Sequence, residues 1–389
     1  MTLRKIILRQ TGWFAIAICM AGCGAQLRPP TVSPALVESE RQRQKEQVLR
    51  TYFERAAQMA RVANMLRTRG AELCEDNVEP VLGVYWADKK MIPEEYWDAS
   101  ERVFGVGDDL RILSVMPGLP AEKAGLKPGD VVLAVDGKKI ELGSSLYMRK
   151  SNADEARELL RKAGAQAVRL SVKRGSEIID VEIKPISGCN IPVKLVIDDR
   201  VNAFADGKNI GIFTGMMRFM RDDDELAIVL GHEMAHITLD HVNRTRAPAM
   251  VGWALGLVLD AAAAVGGVNT GGIFSELGTR TGVAMFSKDY ETEADYMGLY
   301  FAARAGFDTT KAPDFWRRMV AEHPGNIKTN FLSTHPSSPE RAATIEATIR
   351  EIKRKSADNL PLFPEKRDGG WSSKSSAPAA ENNSRDYPE

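Results

Sequence analysis

The stretch Leu230-Gly231-His232-Glu233-Met234-Ala235-His236-Ile237 decides how the chain is read, because it sets the pattern H-E-x-x-H inside a segment built like a helix start. Asp222, Asp223, Asp224 and Glu225 come first, where negative charge favours a helix N-terminus, and the apolar run Leu226 to Leu230 follows. On a helix His232 and His236 stand four residues apart and project from one face, so both imidazoles can hold one metal ion. Glu233 is offset from them by about a quarter-turn, which suits a carboxylate that touches water on the metal rather than the metal itself. The apolar flanks predict a mostly buried helix, and buried histidines need partners.

A catalytic metal ion needs a third protein ligand and one open position. The segment Asp289-Tyr290-Glu291-Thr292-Glu293-Ala294-Asp295-Tyr296-Met297-Gly298 is helix-compatible and rich in carboxylates. Glu291 and Asp295 share a face at helical spacing, whereas Glu293 points elsewhere and reads as a surface carboxylate. One of the pair would bind metal while the other orients a ligand histidine. Ala294 and Gly298 are small enough to let this helix approach the first one closely.

The bulk numbers bound the rest. A length of 389 residues allows two or three domains, and 52 basic against 52 acidic side chains give no electrostatic reason to expect a nucleic-acid partner. The N-terminus is basic at Arg4, Lys5 and Arg9, apolar from Trp13 to Ala21, and ends in Met20-Ala21-Gly22-Cys23. This resembles a bacterial lipoprotein signal, which implies removal of residues 1–22, lipidation of Cys23 and export to the periplasm. Gly24, standing where an aspartate would retain such a protein, favours the outer membrane. Residues 23–34 form a proline-rich tether. Cys74 and Cys189 remain as a disulfide candidate that would clamp the ends of an inserted domain, worth roughly 4–5 kcal/mol in the chain-entropy model.

Residues 35–77 form an N-terminal helical segment, with Leu49, Phe53, Ala56, Ala60, Ala63 and Leu66 along one apolar face and Gly70 as its C-terminal cap. Residues 78–188 change texture. Short β-rich runs (Val81 to Tyr85, Leu110 to Val115, Val131 to Val135, Val168 to Lys173, Ile178 to Ile183) alternate with glycine and proline turns, and one helix is expected at Ala153 to Arg161. The sequence from Gly118 to Lys138, with Pro120, Ala124-Gly125, Pro128-Gly129-Asp130 and Asp136-Gly137, resembles a PDZ domain of the bacterial HtrA type, and Arg174-Gly175 continues the match. The resemblance implies a loop whose amides hold a peptide C-terminal carboxylate while the peptide adds as a strand. By position that loop is Leu82-Gly83-Val84, with Phe104-Gly105-Val106-Gly107 as the rival.

In residues 189–358, Val193 to Ile197 and Asn209 to Thr214 read as strands, a helix runs from about Gly215 to Arg221, and the H-E-x-x-H helix follows. Ala247 to Val268 reads as a buried or hairpin helix, since Asp260 and the alanine and glycine content argue against a membrane span. Residues 359–389 read as a disordered tail. H-E-M-A-H followed by E-T-E-A-D resembles the HtpX-like, CAAX-protease-type zinc metallopeptidases, here of the soluble periplasmic kind. Asn202-Ala203-Phe204-Ala205, Gly211-Ile212-Phe213-Thr214-Gly215 and the H-P-x-x-x-x-R element from His335 to Arg341 are similar to further motifs of that family.

The resemblance implies one zinc ion held by His232, His236 and Glu291, Glu233 as general base and Asp295 behind a ligand. His335 is left three roles: oxyanion stabiliser, reversible gate on the open zinc position, or a cap before the helix at Pro339. His241 and His323 read as surface residues. The expected fold is α+β and multidomain, with a mainly helical zincin (gluzincin) domain on a small β-sheet, preceded by a β-rich PDZ domain and an N-terminal helix. The expected function is a lipid-anchored envelope endopeptidase acting on misfolded or mis-assembled polypeptides, with C-termini bound at the PDZ domain. The alternative is a PDZ-containing periplasmic scaffold or chaperone with a latent or structural zinc site.

Overall fold

The computed structural model describes residues 30–140, 151–245, 288–322, 335 and 338–366. The expected signal peptide, Cys23, the Ala247 to Val268 helix, His323 and the tail from residue 367 lie outside these residues. Helix α1 (Pro34–Arg69) enters the compact unit that begins at Glu46, and there it buries Leu49, Phe53, Ala56, Ala63 and Leu66 on one face. Gly70 ends it, though not as a left-handed cap. Its φ is −95°, and a Cβ there would stand 2.4 Å from Phe301 Cδ1, so the glycine answers to a close approach of the C-terminal half.

The inserted domain runs β1 (Val78–Val81), β2 (Val84–Ala87), α2 (Trp97–Phe104), β3 (Leu110–Val115), α3 (Pro120–Lys123), β4 (Val131–Val135), β5 (Lys138–Lys139), α4 (Asn152–Ala163), β6 (Val168–Arg174), β7 (Glu177–Ile183) and β8 (Ile186–Cys189). Its sheet has the order β2-β3-β4-β6-β7, antiparallel throughout, with β5 on β4. The strand expected from Val81 to Tyr85 breaks in two at Leu82-Gly83. Gly83 has φ 83°, and a Cβ on it would meet Leu119 Cβ at 2.3 Å. Leu82, Ile112, Leu126, Val135 and Leu170 fill a core under this sheet.

The long connection between β2 and β3 has a packing role. Ile92, Ala99 and Val106 join the core of α1, and Phe104 meets Phe53 edge to face with centroids 5.0 Å apart. At the neck of the insert, β1 pairs antiparallel with β8, and Cys74 and Cys189 are disulfide-bonded with Cα atoms 5.6 Å apart. The buried Glu79 carboxylate in β1 pairs with Arg67 of α1 and, at 2.8 Å, with Arg157 of α4.

The remaining elements are β9 (Val193–Val196), β10 (Ala203–Ala205), β11 (Ile210–Phe213), α5 (Thr214–Phe219), α6 (Asp223–Thr238), α7 (Lys288–Arg304), α8 (Ala312–Glu322) and α9 (Pro339–Ala357). The small sheet has the order β10-β11-β9, so β10 is an edge strand, and it packs on α6. Residues 359–366, expected to open a disordered tail, lie on the fold instead. Leu362 and Phe363 pack on the core, the Arg304 guanidinium sits 4.6 Å from the Phe363 ring centroid, and Lys355 Nζ donates to the Phe363 carbonyl at 2.6 Å. Among the described residues no helix is long and apolar enough to cross a membrane.

Candidate active site

Helix α6 starts where its acidic sequence places it. The Asp222 carboxylate accepts from the Glu225 amide, and the buried Glu225 carboxylate is held by two guanidinium nitrogens of Arg318, at 2.6 and 3.0 Å. From α1, Gln58 and Arg61 both donate to Asp223. Helix α7 then lies against α6 with almost no side chain between them. A Cβ on Gly231 would stand 2.5 Å from the Gly298 carbonyl oxygen, and one on Gly298 would stand 2.7 Å from the His232 amide nitrogen. This crossing brings Glu291 and Asp295 of α7 onto the histidines of α6.

One donor atom each from His232, His236, Glu291 and His335 lies within 4.8 Å of all the others, and all four residues are buried. His232 Nε2 is 3.1 Å from His236 Nε2 and 3.1 Å from His335 Nδ1. Glu291 places its oxygens 3.4 Å from His236 Nε2, 3.5 Å from His232 Nε2 and 2.9 Å from His335 Nδ1. Nitrogen ligands at about 2.1 Å from a tetrahedral zinc stand about 3.4 Å from one another, so the spacing suits that ion. Charge agrees. Among the described residues, Glu233, Glu291 and Asp295 are three buried carboxylates against the one buried guanidinium of Arg341, an acidic excess that suits a divalent cation.

The same field shows in the proton affinities. Burial alone would lower the His232 pKa, but hydrogen bonds to Asp295 and Glu291 outweigh it and push it up to about 9. His236 goes the other way, held well below the ordinary value chiefly by burial. Burial would raise the Glu291 carboxyl, yet the three surrounding histidines hold it well below the usual range. Burial pushes Glu233 up, against the opposing pull of His335, His232 and the Ala205 backbone amide, and neither of its carboxylate oxygens has a close side-chain hydrogen-bond partner among the described residues. His335 Nε2 approaches Glu233 Oε1 only to 3.5 Å.

Behind the donors, Asp295 Oδ1 lies 3.0 Å from His232 Nδ1, and Arg341 braces Asp295 at 2.7 Å and Glu291 at 2.8 Å. Trp316 stands edge-on to His232, with centroids 5.6 Å apart. The structure thus gathers His232, Glu233, His236, Glu291, Asp295 and His335 in one place. Leu82, Gly83 and Val84 sit in the PDZ domain at the β1–β2 break, where the amides of Leu82 and Gly83 donate to no backbone carbonyl among the described residues. At the rival loop, the Gly105 and Val106 amides are engaged in capping α2 through the carbonyls of Glu101 and Ser100.

The sequence reading places His241 and Glu293 at the surface; Glu293 is exposed as expected, although it partners His241, whereas the structure corrects His241. Asp240 turns the chain through φ 58° after α6, so His241 returns to the site fully buried, with Nδ1 at 3.1 Å from His236 Nδ1 and Nε2 at 3.1 Å from Glu293 Oε2. Arg341 was given no role, although three acids converging on one buried site require a cation.

Residues 185–349 match the model of peptidase family M48, and residues 111–174 match that of a PDZ domain. The mitochondrial metalloendopeptidase OMA1 of Schizosaccharomyces pombe is 32% identical over 187 residues, covering 46% of this chain and 53% of that protein. The beta-barrel assembly-enhancing protease of Escherichia coli (strain K12) is 31% identical over 167 residues, covering 41% of this chain and 34% of its own length. The chain therefore spans about a third to a half of the length of these relatives. A solved HtrA3 PDZ domain is similar at 19% identity and TM-score 0.21, over 28% of this chain and 88% of that one. Residues 185–349 are thus similar to peptidase family M48, and residues 111–174, which precede them, are similar to a PDZ domain.

Proposed function

We propose that this protein is a zinc-dependent endopeptidase of the bacterial envelope, of the HtpX-like kind with a gluzincin catalytic domain. The observation that carries this reading is Glu233, a fully buried carboxylate with no close side-chain hydrogen bond among the described residues, set beside a convergent ring of donors. A carboxylate that served only structure would be hydrogen-bonded. His232, His236 and Glu291 would hold the zinc, whose Lewis acidity makes water deprotonate near neutrality and polarises a carbonyl oxygen.

Glu233 takes the proton of the attacking water and returns it to the leaving amine. Its raised pKa moves it toward the range in which a general base works at neutral pH. Asp295 and Arg341 hold His232 and Glu291 in place. The edge of β10, packed over α6 and paired only with β11 among the described residues, offers backbone groups to an extended polypeptide. His335 Nδ1 lies inside the donor ring, which favours its occupying the open position as a reversible gate over oxyanion stabilisation.

Peptide C-termini dock at Leu82-Gly83-Val84, where the Leu82 and Gly83 amides, which donate to no backbone carbonyl among the described residues, and the neighbouring β2 edge suit a carboxylate and an added strand. The signal-like N-terminus supports lipid anchoring through Cys23, at the outer membrane on the strength of Gly24. Misfolded or mis-assembled envelope polypeptides are the substrate class, a reading supported by the name of the Escherichia coli relative.

The test is zinc content together with cleavage of an unfolded protein by the purified chain, its Glu233→Gln form and its His335→Ala form. One zinc per chain, cleavage abolished in Glu233→Gln with zinc retained, and faster cleavage in His335→Ala are expected. Zinc without cleavage in both the parent and His335→Ala would leave the scaffold reading standing in its place.

A further inference from the structure

His236 has a second face. Its Nε2 points into the donor ring, while its Nδ1 lies 3.1 Å from Nδ1 of His241. His241 is fully buried, and its Nε2 lies 3.1 Å from Oε2 of Glu293, whose side chain is 47% exposed. Tyr290 covers the His241 ring, with centroids 4.4 Å apart and planes within 8°. Tyr290 and Glu293 both belong to the first turns of α7, the same turns that carry Glu291.

The contacts fix the direction of each hydrogen bond. A carboxylate only accepts, so His241 Nε2 carries the proton it shares with Glu293. A neutral imidazole has one donor and one acceptor nitrogen, which makes His241 Nδ1 the acceptor. The proton between the two Nδ1 atoms therefore sits on His236, and the lone pair of His236 Nε2 faces the ring of donors. We propose that His241 and Glu293 are positioning residues that set the tautomer and plane of His236 as a metal ligand. The two ligands of α6 are then buttressed differently. His232 meets a buried carboxylate directly, whereas His236 is held through an intervening imidazole that ends at a half-exposed glutamate. The inference rests on the zinc reading of the site.

The test is zinc affinity by chelator competition on the full chain, with the absorption spectrum of the cobalt-substituted protein and the melting temperature of the metal-free form. His241→Ala is expected to weaken zinc by about 10–100-fold and to shift the cobalt bands, as lost outer partners of ligand histidines do. Glu293→Ala should weaken it in the same direction and Glu293→Gln should restore it, because the amide oxygen still accepts from His241, while all Glu293 forms melt alike without metal. Parent-like affinity in His241→Ala and Glu293→Ala would overturn the proposal, as would equal losses in Glu293→Ala and Glu293→Gln. If His241→Ala does not fold, the Glu293 pair decides alone. Two metal ions per chain would also overturn it, since the Nδ1 atoms would then be ligands. A parent that binds no zinc would instead sink the metal site itself, and this inference with it.

Discussion

Replacing Gly298 by alanine tests whether the crossing of α6 and α7 sets the site. On propensity alone the change should help, since alanine is favoured over glycine in a helix interior by about 1 kcal/mol. The new Cβ, however, would stand 2.7 Å from the His232 nitrogen, 2.8 Å from the Gly231 carbonyl carbon and 2.9 Å from the His232 Cα. All three are backbone atoms of the opposing helix and cannot rotate away. Ordinary carbon contacts begin near 3.5 Å, so the helices must part by about 0.7–1 Å. Overpacking of this kind costs about 1–3 kcal/mol, and a rigid neighbour puts it at the upper end, leaving a net loss of about 2 kcal/mol. The same displacement draws Glu291 and Asp295 away from His232, and misplacement on the order of 1 Å can cost about a hundredfold in rate. Urea unfolding of the metal-free chain, zinc competition and cleavage rate should all fall together in Gly298→Ala. A variant that unfolds at the parent midpoint and keeps parent zinc affinity would show slack between the helices and refute the reasoning.

Arg341→Met leaves Glu291 and Asp295 buried without their cation, and breaking a buried pair typically costs about 3–5 kcal/mol; a urea midpoint within error of the parent would contradict the bracing role. Replacing Cys74 and Cys189 together by serine releases a loop of 115 residues, so the urea midpoint should drop by the equivalent of up to about 4–5 kcal/mol, and no drop would mean that the β1–β8 neck holds without the bridge. In the PDZ domain, burial would raise the Asp130 carboxyl, but Arg174 and the Lys127 amide hold it below its ordinary value. A depressed carboxylate contributes stability above its unfolded pKa of about 3.9 and loses it as the pH falls through the folded value. The stability gap between the parent and Asp130→Asn should therefore be flat near neutrality and close below pH 4 or so; a gap that widens in acid would reverse the sign of the argument.

The metal site was legible to the extent that its chemistry is local. His232, Glu233 and His236 stand within one turn and a half of helix, so periodicity alone groups them. Small residues at 294 and 298 announced the close crossing. His241 was not legible, because its return depends on the left-handed turn at Asp240, and an exposed and a buried histidine look alike five residues past a motif. Gly70 shows the same limit. A glycine after a helix suggests a cap, but the atom that demands it, Phe301 Cδ1, is more than two hundred residues away. The PDZ strands followed from alternation and turn residues, whereas the connection between β2 and β3 carried no hint that it packs on α1 until that helix had a position.

Helix α1 also constrains how the protein is made. It is the first described element to leave the ribosome, yet the groups that fix it come late. Gln58 awaits Asp223, 165 positions on, and the carbonyl of Arg69 awaits Arg304, 235 positions on. Until the C-terminal half has been synthesised, the face bearing Leu49, Phe53, Met59 and Leu66 can be covered only in part, by the connection between β2 and β3. Contacts this distant slow folding and leave apolar surface exposed in the interval. The nascent chain must therefore carry a partly uncovered amphipathic helix until the C-terminal half is made, a stage at which that face is open to misassociation.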